Sequence, residues 1–395
     1  MKQTESGILD MRRPLFGGYN SAAEFVTLGH PDKTCDQIAG RILDQALIIN
    51  PDSHVAIEMV ACNGKIALGG EVSPALLDKI DFKQVPVDVF SGMGYNRPPF
   101  KIQREDVTVF INRQSQEIND GVVHKPAHLG DNQDKEHINA GDQGVMDGYA
   151  MFAPEREHMP AAVWFAQRLA MRLWHVTQKR IIPDLFADGK TQVIITNGKI
   201  SSVTIAIHHG ASWHTEPGQP LKLRGPIYDQ VIRPIIGEVT NYFVNAAGNF
   251  ENGSIWADSA EVGRKIVIDQ MGPDIPVGGG TLNGKDPSKV DLTGAVMARH
   301  IAKNIVANRL ADEALVQFAF TIGQPEPDAL NIYVPGWKSA QSPEEWCRKH
   351  FPLKVEEMIE YLGLAQLKGW SYEQAAQFGF YGHAQFPWER TREIK

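Results

Sequence analysis

Gly278-Gly-Gly-Thr-Leu-Asn-Gly-Lys-Asp-Pro-Ser-Lys-Val-Asp291 leads three glycines into two lysines four residues apart, with Asp286 and Asp291 set among them. Glycine lets backbone N–H groups approach an anion closely. Lysines bring point charges to phosphate, and a carboxylate can hold the Mg²⁺ that polyphosphates carry. A phosphate-binding P-loop is excluded. Gly279 to Lys285 has the right spacing, but Asp286 stands where a Ser or Thr hydroxyl must ligate the metal. Beyond the motif, Val290, Met297, Ile301 and Ile305 share one face at helical spacing. The stretch therefore predicts an anion-binding loop that opens a helix.

Working outward, Gly29-His-Pro-Asp-Lys33 has the same design. Pro31 suits the first helical position, and Cys35, Ile38, Ile42 and Ala46 continue an apolar stripe. A helix N-terminus favours phosphate, His30 and Lys33 could add donors, and Asp32 could ligate Mg²⁺. Strands are expected at Val55–Val60 and Lys65–Leu68, joined as a hairpin, and at Val107–Ile111. A helix is expected near 161–174. Strands at Gln192–Thr196 and Val203–His208 should flank an Asn197-Gly198 turn. Further expectations are a helix at Ile227–Ile236, strands at Tyr242–Asn245, Lys265–Asp269, Val316–Ile322 and Leu330–Val334, and helices near Pro343–Phe351 and Lys354–Leu362. Strand–strand–helix order recurs about three times without residue-level similarity. An α+β fold of helices on mixed sheets follows.

The chain of 395 residues is long enough for two or three domains. A net charge of −8 argues against nucleic acid or an anionic membrane as partner. Cys35, Cys62 and Cys347 contain no C-x-x-C pair, which fits a reducing compartment and excludes a thiolate zinc site. No apolar run suits a signal peptide or a membrane span, so a cytoplasmic location is expected.

Several other features are ordinary when judged singly. Gly141-Asp-Gln-Gly144 and Asp188-Gly-Lys190 read as turns, Gly263-Arg-Lys265 as a solvated charge pair, and His208-His209 as two structural histidines on opposite strand faces. Glu71 and Gln114 carry no message alone. The polar stretch Gln114–Asp142, poor in periodicity, reads as a functional loop or lid, or else as disordered chain.

Together, GHPDK, GDQG, G-R-K and the fourteen-residue glycine–lysine block resemble the S-adenosylmethionine synthetases, from about Glu24 to Arg392 and ending in Tyr381-Gly-His and Phe386-Pro-Trp-Glu389. The resemblance implies transfer of the adenosyl group of ATP to the sulfur of L-methionine, then hydrolysis of the tripolyphosphate. It implies three similar α+β domains about a pseudo-threefold axis, placed at 1–123, 124–252 and 253–395. His30, Lys190, Arg264, Lys265, Lys285 and Lys289 would be the catalytic group. ATP would also meet Glu24, Asp142, Asp188, Phe250 and Asp258. Methionine would meet Glu71, Gln114, Asp258 and Lys289. Asp32 and Asp291 would hold two Mg²⁺ ions, and Glu58 matches the position associated with K⁺. Sites would form between subunits of a dimer or tetramer, with 114–139 as a mobile lid.

The chain also departs from the family pattern. Asp147 replaces an aromatic residue, Asn249 an arginine before Phe250, and Thr281 a common alanine. Asn252-Gly-Ser-Ile-Trp-Ala257 replaces a Gly- and Pro-rich run before Asp258. These changes gather near the nucleoside and lid rather than the lysines, and mark a divergent member. A non-catalytic paralogue or a bare tripolyphosphatase are the competing classes. Loss of chemistry would normally remove His30, Lys190, Lys285, Lys289 or Asp291, and all are present.

Overall fold

The structure, a computed structural model, describes residues 20–114 and 138–394. Three long helices organise it: α1 (Pro31–Ile49), α3 (Ala161–Gln178) and α5 (Val290–Ala307), with the short α2 (Gln84–Gly92) and α4 (Ile266–Gln270) between them. Near-equal spacing of the three starts is the repeat suspected from sequence. Each helix is preceded by a strand and followed by a hairpin. Around α1 these are β1 (Ser21–Val26) and then β2 (Val55–Cys62) and β3 (Lys65–Val72). The small ribbon of β4 (Asn96–Arg97) and β5 (Phe100–Lys101) and strand β6 (Val107–Arg113) complete this part. Around α3 they are β7 (Gly144–Met151), β8 (Leu185–Thr196) and β9 (Lys199–His209), with β10 (Tyr242–Val244) added later. Around α5 they are β11 (Ala260–Glu261), β12 (Glu313–Phe320) and β13 (Ala329–Tyr333).

The leading strand of each unit does not stay with its own hairpin. β1 pairs antiparallel with β8, β7 with β12, and β11 with β2. The sheets accordingly run β11-β2-β3-β6, β1-β8-β9-β10 and β13-β12-β7. Every unit lends an edge strand to the next, and the third lends one back to the first. This cyclic exchange is the topological form of the threefold relation. β6 and β10 join their sheets parallel to β3 and β9, which makes those two sheets mixed.

Apolar periodicity explains most elements. In β2 the burial alternates strictly from Val55, so Val55, Ile57, Met59 and Ala61 face the core while Glu58, Val60 and Cys62 face out. α5 is buried along nearly its whole circumference. Its polar residues are matched by the C-terminal segment. Arg299 donates to Glu389 at 2.9 and 3.0 Å, Lys303 to Glu389 at 2.7 Å, and Asn304 to the Arg390 carbonyl at 3.2 Å.

Several elements differ from expectation. Lys265–Asp269 is not a strand, because Ile266–Gln270 is helical, with the Asp269 N–H donating to the Lys265 carbonyl at 2.9 Å. Strands β1 and β7 and helices α2 and Tyr372–Phe378 lay outside the expected set. The stretch expected as a helix at Ile227–Ile236 is helical, running without a break from Arg224 to Ile236 with a π turn over Tyr228–Ile232 inside it. The expected lid over 114–139 falls almost wholly outside the described residues. No helix among the described residues is long and apolar enough to cross a membrane.

Candidate active site

The turn before α1 lies against β8. Gly29 has no room for a side chain, since a Cβ would come 2.4 Å from Ala187. The β8–β9 register shifts between Leu185 and Gly189. Asp188-Gly-Lys190 is therefore irregular strand and not a free turn. His30 caps α1, its Nδ1 accepting from the Asp32 N–H at 3.2 Å. Burial, then the charge of Lys265, pulls its pKa down to about 3. The imidazole is neutral at physiological pH, and with Nδ1 accepting, its proton sits on Nε2 as a donor.

Asp32 is buried and gathers the motif from the far end of the chain. It accepts from Lys265 Nζ at 2.6 Å and from the Glu261 N–H at 3.1 Å, with Arg264 Nε at 3.6 Å. Lys190 meets Glu24 at 2.6 Å across β1 and β8, with both side chains well exposed. These residues, remote in sequence, form one patch.

A second patch surrounds the glycine–lysine block. Its loop is held to β2: the Ile57 N–H donates to the Gly284 carbonyl at 2.8 Å and the Asp286 N–H to the Val55 carbonyl at 3.0 Å. Gly284 is required there, with φ at +73° and a would-be Cβ 2.7 Å from the Ile57 oxygen. Asp286 is the loop's internal anchor. It accepts from the Val55 N–H at 2.8 Å, the Ser288 hydroxyl at 2.6 Å and Lys289 Nζ at 2.5 Å. Although burial opposes ionisation, Lys289 and His54 hold its carboxyl far below the ordinary range. Lys285 pairs with Asp291 in the first turn of α5. A cavity of about 380 Å³ is lined by Asp142, Gln143, Gly278–Gly280, Lys285 and Asp291. His30, Lys190 and Lys265 are not among its walls.

Asp188 is buried, accepts from the Ser254 N–H at 2.7 Å, and donates its own N–H to the Tyr95 hydroxyl at 3.1 Å. Burial pushes its carboxyl up to about 7, and Asp258 adds to the rise. Phe250 is bracketed by His209, whose Nε2 accepts the Phe250 N–H at 3.0 Å, while its ring lies 5.5 Å from His208. His208 itself stacks on Phe186 at 4.4 Å, so the adjacent imidazoles serve different neighbours.

Glu58 and Glu71 share the outer face of the first sheet. In register Glu58 is opposite Gly69, and Gly69 opposite Phe110. Phe110 is 62% exposed and Val60 51%, so an apolar surface surrounds these carboxylates. The pKa of Glu58 is raised by desolvation, with Lys285 opposing and the charges of Glu261 and Asp36 adding to the rise. Gln114 ends the described segment, its N–H on the Val72 carbonyl at 3.0 Å.

The departures from the family pattern have local partners. Asp147 accepts from Gln317 at 2.9 Å. Asn249 clasps Thr215 at both N–H and C=O, at 3.0 and 2.9 Å. Trp256 enters an aromatic cluster with Tyr95, Phe90 and Phe100 at 5.3–5.6 Å. Thr281 packs on Gly263. One sequence reading is overturned. Lys33 is wholly buried between Asp36 and Asp269 and is no phosphate donor. Its place at the third position of a helix that packs on both sides was the available signal.

Among the described residues no three His, Cys, Asp or Glu side chains cluster as a metal cage. Asp32 and Asp291 stand as single carboxylates beside lysines. That donor set fits Mg²⁺ held jointly with substrate phosphates and water. Glu58, amid other carboxylates, fits a monovalent cation.

Comparison with known proteins identifies a family. Family models for the N-terminal, central and C-terminal domains of S-adenosylmethionine synthetase match residues 19–116, 137–250 and 252–390. An S-adenosylmethionine synthase of Chlorobium phaeobacteroides is 33% identical over 95% of this chain and 96% of its own length. One of Brachyspira hyodysenteriae is 34% identical over 94% and 96%. Matched in all three domains and along nearly its whole length, the chain belongs to the S-adenosylmethionine synthetase family.

Proposed function

We propose that this chain joins ATP and L-methionine into S-adenosylmethionine and hydrolyses the tripolyphosphate left behind to pyrophosphate and phosphate. The observation that carries the reading is the way each cation is held. Lys190, Lys265, Lys285 and Lys289 each rest on a carboxylate, namely Glu24, Asp32, Asp291 and Asp286. A site loaded with positive groups and balanced by acids suits a ligand that is both polyanionic and accompanied by cations.

The sulfur of methionine is a competent nucleophile and needs no general base. It attacks C5′ of the ribose while the C5′–O bond breaks, and the triphosphate leaves with the bonding pair. The demand on the protein is to stabilise charge on that leaving group. His30 Nε2–H, neutral and preset by its helix cap, would donate near the departing oxygen. Lys190, Arg264, Lys265 and Lys285 would take phosphate oxygens, while Lys289 lies toward both substrates. Mg²⁺ held by Asp32 and Asp291 would supply charge neutralisation on the phosphates, and K⁺ would sit at Glu58. Asp142, Asp188, Phe250 and Asp258 would hold the nucleoside, and Glu71, Gln114 and Asp258 the methionine.

Two copies of the chain would complete the site. The apolar face that carries Glu58, Glu71 and Phe110 supports this reading, because a partner covering that face would enclose both carboxylates. Product formation from ATP and methionine with Mg²⁺ and K⁺ tests the function. Lys190→Met or His30→Ala should slow adenosyl transfer by about a hundredfold or more. Wild-type rates from both would refute the phosphate roles.

A further inference from the structure

We propose that Lys33 is a positioning residue, which with Asp36 and Asp269 forms a buried charged hub that sets the spacing of the phosphate-gripping segments. The inference rests on the reading of Arg264, Lys265 and Lys285 as phosphate groups. The Lys33 ammonium is wholly buried and shared between Asp36, at 2.9 Å, and Asp269. Each of these carboxylates also holds a loop. Asp36 Oδ1 accepts the Gly263 N–H at 2.9 Å, which fixes the turn just before Arg264 and Lys265. Asp269 Oδ2 accepts from the Asn283 side-chain amide at 2.8 Å, two residues before Lys285. The two loops touch where a Cβ on Gly263 would come 2.7 Å from the Thr281 Cβ. Lys33 also follows Asp32, which carries Lys265. The start of α1 and two loops from the far end of the chain are thus tied to one ammonium.

The energetics favour a role in placement. Without the cation, two buried carboxylates would face each other across a water-excluded space. They would part or take up a proton, and either change moves the loops they hold. Preset cations lose much of their effect on a leaving group when displaced by even an ångström. The effect should fall on the triphosphate and spare methionine.

The test is direct binding of tripolyphosphate with Mg²⁺, measured by calorimetry on the full-length chain. Lys33→Met and Asn283→Leu are the probes, and Lys285→Met is the control for the cradle itself. Asn283→Leu cuts one connection and keeps the charges of the hub, so it serves as the probe should Lys33→Met fail to fold. Affinity should fall about tenfold in Asn283→Leu, the size of one hydrogen bond to a charged group. It should fall further in Lys33→Met, while KM for methionine stays at the wild-type value. The proposal is overturned if Asn283→Leu merely lowers the thermal midpoint and its folded fraction binds as tightly as wild type. Loss of binding in Lys285→Met alone would likewise overturn the hub and leave the phosphate reading standing. Wild-type binding in Lys285→Met would remove that reading and the hub with it.

Discussion

Gly280 shows how a single missing side chain shapes the site. A Cβ there would land 2.1 Å from the Asp291 carboxyl carbon, well inside contact distance. Gly280→Ala should therefore push Asp291 off Lys285 and cost on the order of a hundredfold in kcat with the fold intact. Initial rates beside a circular dichroism melt check this, and an unchanged rate would show that the carboxylate has room to spare. Asp188 gives a pH signature. Its folded pKa near 7 lies above the ordinary value, so the folded chain keeps a proton that the unfolded chain has released. Stability from this group falls as pH rises from about 4 to about 7 and is then level. Asp188→Asn should consequently gain more over wild type at pH 8 than at pH 5 in urea unfolding. A difference that does not change with pH would contradict the buried carboxyl. At this scale dense motifs drew attention to His30, Asp32, Lys285 and Lys289, whereas Lys190 and Lys265 looked ordinary when judged singly. The sequence misassigned Lys33, since nothing local distinguishes an ammonium facing phosphate from one facing two distant aspartates.

Among elements, legibility followed periodicity. α1, α5 and the β2–β3 hairpin carry clean apolar stripes and emerge near their observed bounds. β7 was hidden by Gly144, Asp147 and Gly148, residues poor in strand preference. Its glycine serves packing: a Cβ on Gly148 would sit 2.0 Å from the Arg299 nitrogen, so α5 lies directly on the strand. Ile266–Gln270 is helical against the β-branched preference of Ile266-Val267-Ile268. Tertiary structure prevails there, because Asp269 must reach Lys33. The ion network of α5 makes a sharper prediction. Arg299 and Lys303 converge on Glu389, which they hold down to about 2 against the penalty of burial. Glu389→Gln leaves buried cations without their counter-charge and should cost about 3–5 kcal/mol in denaturant unfolding. A loss below about 1 kcal/mol would mean that water reaches the network. The wild-type contribution is full above the ordinary carboxylate range and fades as pH falls through about 2.

At the scale of the molecule, the repeat was visible only as element order, since the three units share topology without shared residues. The trade of leading strands had no signature in the sequence at all, because pairing between β1 and β8 or β11 and β2 joins residues roughly 160 to 200 positions apart. The outer face with Phe110 makes the whole-molecule prediction. If two copies complete the site across this face as proposed, Phe110→Glu should yield a folded monomer by sedimentation and abolish adenosyl transfer together with association. Full activity from a monomer would show that one chain holds a complete site.

The ring of lent strands also governs what happens when the chain folds in company. A β1 that misses its own β8 finds an identical acceptor edge on any neighbour, and that neighbour is left with its own strand to offer. Refolding from denaturant at rising concentration should therefore yield linked oligomers that resist dilution, whereas refolding at low concentration closes each ring on itself. Size-exclusion profiles that stay the same across that range would show that the closing strands dock before chains can meet.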